Sequence, residues 1–554
     1  MNLLGVERTM KWLQLLVLLL LAGNVGAAVL SNGEISCTIN EDGIQSIAIE
    51  GRVVTTRPSA GFPTHQGFYA NAGLPPEAGS VAVGPLLRSV VTGTADAVTV
   101  SDVHSNMTVQ YVYSLSGSDI DMEAVLKNND ARPFSNIMIA LPTFVFGAKA
   151  TGNVKSWDSS YLSANGQKAF HPGIWCPLAV SYARNENYGV ALHCKSHFNK
   201  PSLFVSYMYS VGPGVPPNVA DMILYLQDCV QPGGQLVVDV TIHLSVKTDL
   251  QSLLSSYVRD FQAFTGPMQY LPDDRPWLQF ASIDGHRVTP HNPLGYNGDD
   301  RRFDLPGGII RYEDLVWPSV GVTQGTLFWQ PQGYNPRGCQ YRPDFNVWPD
   351  SVSANLPTLI AWYKANGMKF GLCARPAEIV TPAGPNSDQT CQLDGENASQ
   401  MAMLTARFDA VTKLGVNAFY LDSFGVDLNS YHIMKQLRAH LGNAVPTYSE
   451  FTSDLMLPYC GVYTELNSGG PAGEGPNGGT LWYDRDTLTA FRMLYPHSAI
   501  MTKMREGKGG QPIASTIQLA NWKMTPMVQD SQSRQYRVYF QELIANHMSG
   551  NVWK

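Results

Sequence analysis

Three carboxylates stand at the ends of short apolar runs in the second half of the chain. Val416, Ala418, Phe419, Tyr420 and Leu421 form a run that stops at Asp422. Val445–Ser449 leads into Glu450, and Val462–Leu466 carries Glu465 with Asn467 beyond it. Such runs are too short for helices and read as buried strands. In a barrel of parallel strands the C-terminal strand ends hold the chemistry. Two carboxyl groups facing one cleft suit glycosidic bond cleavage, one attacking or stabilising the sugar carbon while the other delivers a proton. Asp284, at the end of an earlier run, and Arg375, beyond the run Lys369–Cys373, could make an ion pair at the mouth or hold substrate hydroxyls, since both side chains form paired hydrogen bonds. Trp329 and Tyr483 are the aromatic candidates for stacking on a sugar face. Structural roles are open at the same positions. Asp422 could cap the following turn, and Glu450 could be the N-terminal carboxylate of a helix over Thr452–Tyr459.

The elements that must position these groups follow a repeating cadence. Leu356, Leu359, Ile360 and Tyr363 mark a helix stopped by Asn366-Gly367, and a strand follows at Lys369. Leu404, Phe408, Val411 and Leu414 mark a helix stopped by Gly415, before the Asp422 strand. Ile433, Met434, Leu437 and Leu441 mark a helix stopped by Gly442, before the Glu450 strand. Helix, glycine, strand, three times in succession, predicts a parallel sheet with helical crossovers. Further strands are expected at Trp277–Ile283, Thr326–Trp329, Val462–Leu466, Ala499–Thr502 and Ala514–Leu519, eight in all, which fits a (β/α)8 barrel over 273–554. A doubly wound open sheet would carry a glycine-rich nucleotide turn after its first strand, and none is present. The stretches Gly469–Gly479 and Gly507–Gly510 lack phosphate-loop spacing and read as rim loops.

Residues 29–247 read as all-β. Alternation runs through Glu34–Asn40, Ile44–Ile49, Met107–Leu115, Asp119–Leu126 and Gln235–Leu244, with glycine and proline between, as in a large β-sandwich. Within a linker segment, 248–272, Leu250, Leu253, Leu254, Tyr257 and Phe261 give helical spacing, and Gly266 ends the helix. Residues 1–28 have the form of a signal peptide: Arg8 and Lys11, then an apolar core from Trp12 to Ala22, then Gly26-Ala27-Ala28. That predicts a secreted or periplasmic protein with no membrane span after cleavage. Charged residues are only 15% and the net charge is −7, which excludes the basic face of a nucleic-acid binder. No CxxC pair exists, and Asp427, Asp484 and Asp486 lack EF-hand spacing, so neither metal nor cofactor is expected. Cys176 with Cys194 and Cys339 with Cys391 are candidate disulfides, whereas Cys373 is expected to be an inert core residue.

The segment VQYVYSLSGSDIDMEAVLKNNDARP, from Val109 to Pro133, resembles the mutarotase-like supersandwich found at the N-terminus of several glycoside hydrolases. KFGLCARP, from Lys369, resembles the third-strand motif of α-galactosidase-like hydrolases. FYLDSFG resembles their fourth-strand nucleophile motif and the corresponding α-glucosidase one, and TYSEFTSD, from Thr447, resembles a fifth-strand segment ending in a catalytic or substrate-binding glutamate. Arg375 stands where the α-galactosidase group usually has an acidic residue, so a less studied relative is implied. The resemblance implies a β-supersandwich, a linker helix and a TIM barrel. It also implies a secreted glycosidase acting on an oligosaccharide or polysaccharide, with Asp422 as nucleophile and a proton donor on strand five or six, Glu450 or Glu465. A non-catalytic carbohydrate-binding protein using the same cleft is the alternative reading.

Overall fold

The computed structural model describes residues 26–56, 67–70, 83–140, 143–145, 154–157, 178–183, 188–199, 204–209, 219–246, 249–266, 277–280, 324–328, 350–376, 378–382, 388–421, 424, 428–449, 452–460, 462–467, 493–496, 499–504 and 524–529. The chain divides into two compact units, Met1–His171 with Cys176–Phe264, and Pro172–Trp175 with Thr265–Lys554.

Among the described residues the first unit is built of antiparallel sheets of four, eight and six strands. The eight-stranded sheet runs Val154–Trp157, Leu178–Ala183, Gly189–Cys194, Gln235–Ser245, Asp119–Asn128, Met107–Ser116, Ala97–His104, Leu86–Gly93. Period-two alternation sorts its central strands into two faces. Ile120, Met122, Ala124 and Leu126 lie in the core with Val238, Val240, Ile242 and Leu244. Asp119, Asp121 and Glu123 fall on the other face, opposite His243, Thr241 and Asp239 of the neighbouring strand. Cys37, in the strand Ile35–Asn40, is buried in the same core, and desolvation pushes its thiol up to about 12, so it is inert at neutral pH. Cys194 is also buried. Cys176 and Cys339 lie outside the described residues.

Helix α1, Leu250–Thr265, packs on this sheet. Asp249 caps it by accepting from the Ser252 N–H at 2.8 Å. Leu253, Leu254, Tyr257 and Phe261 are buried, as the spacing predicts. A Cβ on Gly189 would lie 2.6 Å from Leu253 Cδ2, so the sheet receives the helix where a strand residue has no side chain. Polar groups complete the seam. His243 Nδ1 is 2.6 Å from Asp119 Oδ1, and its Nε2 is 2.9 Å from the Ser252 carbonyl. Arg259 reaches Asp119 at 3.2 Å and Asp260 at 3.1 Å, and Asp260 meets His193 Nε2 at 2.8 Å.

This seam carries a pH signature. Burial pushes the Asp119 carboxyl up, but His243 and Arg259 together hold it below its ordinary value. A depressed carboxyl contributes stability that is present above its unfolded value, about 3.9, and is lost as pH falls through the folded value. Asp119→Asn is therefore expected to cost roughly 1–3 kcal/mol at neutral pH. Urea melts of both proteins across pH should show that difference shrinking toward zero as pH falls below the ordinary carboxylate range.

In the second unit eight parallel strands close into a barrel. They are β1 Trp277–Phe280, β2 Gly325–Phe328, β3 Lys369–Ala374, β4 Ala418–Leu421, β5 Thr447–Ser449, β6 Val462–Asn467, β7 Ala499–Met504 and β8 Met524–Gln529. Helix α2, Asp350–Ala365, precedes β3; α3, Ala398–Thr412, precedes β4; and α4, Leu428–Leu441, precedes β5. All three expected glycine stops are left-handed, with φ of 68° at Gly367, 106° at Gly415 and 71° at Gly442. The Met368 and Val416 amides bond back to Tyr363 and Val411, as in the Schellman helix end. Gly325 is required differently: a Cβ there would lie 1.9 Å from the Lys369 carbonyl oxygen of the neighbouring strand. Leu414 falls past the end of α3 and is exposed, so it does not belong to the apolar stripe the spacing suggested. The eighth strand lies later in the chain than 514–519, a segment outside the described residues. Within it Pro526 pairs with Thr502, although proline is disfavoured inside strands.

Candidate active site

Register brings the expected strand ends level. Ala374 pairs with Leu421 across β3 and β4, and Leu421 pairs with Ser449 across β4 and β5. These three residues form one row at the C-terminal side of the barrel. The next residues in the chain are Arg375, Asp422 and Glu450. Arg375 is half-buried. Asp422 and Glu450 lie outside the described residues, as do Asp284, Trp329, Tyr483 and both glycine-rich stretches. The row itself is firmly seated. Every residue of β4 and β5 is buried, and the Phe408 and Phe419 rings meet at 4.6 Å where α3 backs β4.

The row continues one strand further, and there the ladder becomes irregular. Ser449 pairs with Tyr463, the only β5–β6 pairing among the described residues. Between β6 and β7 the register shifts: Tyr463 faces Ile500 and Leu466 faces Thr502, so β6 has one residue more than its partner over this stretch. Thr464 and Glu465 occupy the bulge. Bulges re-aim a side chain or end pairing, and they concentrate beside active sites. The expected helix over Thr452–Tyr459 is not what forms. The Ser453 carbonyl accepts from the Met456 and Leu457 amides, Asp454 accepts from the Leu455 N–H at 2.8 Å, and helix α5 spans only Leu457–Cys460. A helix starting at Thr452, which would have given Glu450 a purely structural role, is therefore absent.

Beneath the rim lies a buried polar chain that sequence reasoning missed. Trp277 Nε1 donates to Tyr448 Oη at 2.8 Å, and Tyr448 donates to Gln324 Oε1 at 3.1 Å. The Trp277 and Tyr448 rings meet edge to face at 5.3 Å. These residues belong to β1, β5 and the entry to β2, so the chain crosses the barrel interior and ties β5 to the opposite wall. Outside the barrel, Tyr363 of α2 donates to Thr326 of β2 at 3.0 Å. Buried Tyr and Trp retain their polar tips only where partners exist. These aromatics are therefore framework, and the short strands gave no sign of who would meet whom. Cys373 is fully buried in β3, as expected. Among the described residues no three His, Cys, Asp or Glu side chains converge as a metal site.

No protein-family model matches the sequence, and no curated protein matches it. Solved structures do. The α-N-acetylgalactosaminidase NagBb from Bifidobacterium bifidum, in complex with GalNAc, is similar over 94% of this chain and 93% of that one, with a TM-score of 0.62 and 11% identity. The fold is that of α-galactosidase-like glycoside hydrolases. The same enzyme in its Gal-NHAc-DNJ complex gives a TM-score of 0.61 at 10% identity, covering 94% and 93% of the two chains. The galactosidase domain of the α-galactosidase-sucrose kinase AgaSK gives 0.50 at 12% identity, over 95% of this chain and 85% of that one. The α-galactosidase-like fold thus extends over both units of the chain, at identities where side-chain roles have to be argued from this sequence itself. No helix among the described residues is long and apolar enough to cross a membrane.

Proposed function

We propose that the chain is a secreted glycoside hydrolase that cleaves α-linked galactose or N-acetylgalactosamine residues with retention of configuration. The observation that carries this reading is the level row Ala374, Leu421, Ser449, from which Arg375, Asp422 and Glu450 follow directly in the chain. Asp422 is the nucleophile. The proton donor comes from the next two strands, as Glu450 or as Glu465. Adjacent strands lie about 4.8 Å apart, so a donor on β5 suits the roughly 5–5.5 Å carboxyl separation of retaining enzymes, against about 6.5–9.5 Å for inverting ones. The bulge in β6 supports Glu465 instead. Arg375 and Asp284 hold sugar hydroxyls, and Trp329 and Tyr483 stack on the ring. The sugar class is taken from the fold's neighbours, whose names are those of an α-N-acetylgalactosaminidase and a galactosidase. Secretion rests on the signal-like segment 1–28, and the mature first domain then begins near residue 29, with the barrel over 273–554.

The test is turnover of aryl α-galactosides and aryl α-N-acetylgalactosaminides, with proton NMR of the first-formed sugar. Release of the α-anomer supports the proposal, and release of the β-anomer ends the retaining mechanism. Binding of sugars without turnover across a broad glycoside panel would favour a carbohydrate-binding protein instead.

A further inference from the structure

Among the described residues β5 and β6 share one ladder pairing, Ser449 to Tyr463, and the register shifts between β6 and β7 just beyond it. A buried side chain adds a second tie at this seam. Arg438, on α4, is 1% exposed. Its Nε donates to the Tyr459 carbonyl at 2.6 Å, and its Nη1 donates to the Gly442 carbonyl at 2.8 Å and the Val445 carbonyl at 2.7 Å. Its Nη2 donates to the Thr447 hydroxyl. One rigid fork therefore grips the end of α4, the entry and first residue of β5, and Tyr459 near the end of α5, three residues before β6 begins.

We infer that Arg438 is a positioning residue that fastens β5 to β6 and so sets the relation between the two strands carrying Glu450 and Glu465. The chain leaves the guanidinium at Thr447 and returns to it at Tyr459, so the start of β5 and the end of α5, which flank Glu450 in the sequence, are held at one point. A lysine could not do this: an ammonium is a point charge, whereas the planar guanidinium directs five hydrogens along fixed lines. Burying a permanent charge is costly unless its hydrogens are satisfied. The described acceptors are carbonyl and hydroxyl oxygens drawn from three separate segments, so the charge is satisfied only when those segments are in place. The catalytic consequence rests on the proposed glycosidase reading; the mechanical one does not.

Two variants test the inference in the full-length protein. Thr447→Val removes one acceptor while keeping shape, and Arg438→Lys keeps the charge without the fork. Hydrogen exchange is expected to speed up by about tenfold or more at the amides of β5 and the start of β6 in either variant, with the strands around Ile120 and Val240 unchanged. The kcat of Thr447→Val on a poor-leaving-group glycoside is expected to fall on the order of tenfold with KM within about twofold, as for a displaced catalytic group. Unchanged exchange at the seam overturns the staple. Faster exchange with unchanged kcat in an active enzyme overturns the positioning role. If the wild-type protein turns over no glycoside, the proposed function fails, and the exchange result alone decides the staple. Should Arg438→Lys not fold, Thr447→Val carries both readouts.

Discussion

Asp422→Ala abolishes glycoside turnover: kcat on an activated aryl α-glycoside is expected to drop on the order of 10⁴-fold or more, the scale seen when a covalent nucleophile is removed. The loss falls on both natural and activated substrates, because no leaving group substitutes for a missing nucleophile. Sodium azide should restore part of the rate by entering the space the carboxylate occupied. The product would be a glycosyl azide of configuration opposite to the substrate's, since a single displacement replaces two. Steady-state kinetics with and without azide, and NMR of the product, check both halves. An Asp422→Ala enzyme with wild-type kcat removes the whole site assignment.

Loss of the proton donor gives the second large effect, and it has a different shape. The donor's glutamine variant is expected to lose about 10²–10⁴-fold on substrates with poor leaving groups, while sparing formation of the glycosyl intermediate from activated ones. Glu450→Gln and Glu465→Gln, each assayed against a series of aryl leaving groups, separate the two candidates by the slope of log kcat/KM against leaving-group pKa. The true donor's variant shows a steep slope. The other variant loses activity evenly across the series if Glu450 or Glu465 merely holds a hydroxyl. Two flat slopes exclude both residues as donor.

Much of the fold was legible because local rules and the global fold agree along this chain. Gly367, Gly415 and Gly442 end helices for a steric reason visible in one residue type, and their positive φ confirms it. The alternation in Asp119–Asn128 and Gln235–Ser245 sorts core from surface unaided. What escaped is what depends on partners distant in sequence. Alternation marks Asp119 and His243 as facing away from the core, but not that α1 would cover them and turn them into a seam. Trp277 and Tyr448 lie in different strands, and only barrel closure brings their polar tips together. The bulge at Thr464 and Glu465 depends on the count of residues in β7 and so has no local signature. The eighth strand, Met524–Gln529, carries Pro526, a residue disfavoured inside strands, and so offers no clean strand pattern.

The site was legible to the level of strand ends and no further. A carboxylate closing an apolar run after a glycine-stopped helix is a one-dimensional pattern, and the levelling of Leu421 with Ser449 shows why that pattern has meaning in three dimensions. Arg438 did leave a trace. It sits four residues after Met434, on the buried stripe with Ile433, Met434 and Leu437 of α4. A permanent charge at such a position signals a buried hydrogen-bonding task, although only the structure identifies the Thr447 and Tyr459 oxygens it serves.

The central claim is that a sugar becomes covalently attached to Asp422. Incubating the enzyme with a fluorinated α-galactosyl fluoride that forms the intermediate quickly and releases it slowly, then digesting with trypsin, reads this directly. Asp422 falls in the peptide Leu414–Lys435, which also contains Asp427. The account predicts one hexosyl adduct on that peptide, with fragment ions placing it on Asp422. An adduct on Asp427 or on any other peptide, or inactivation with no adduct at all, would contradict it.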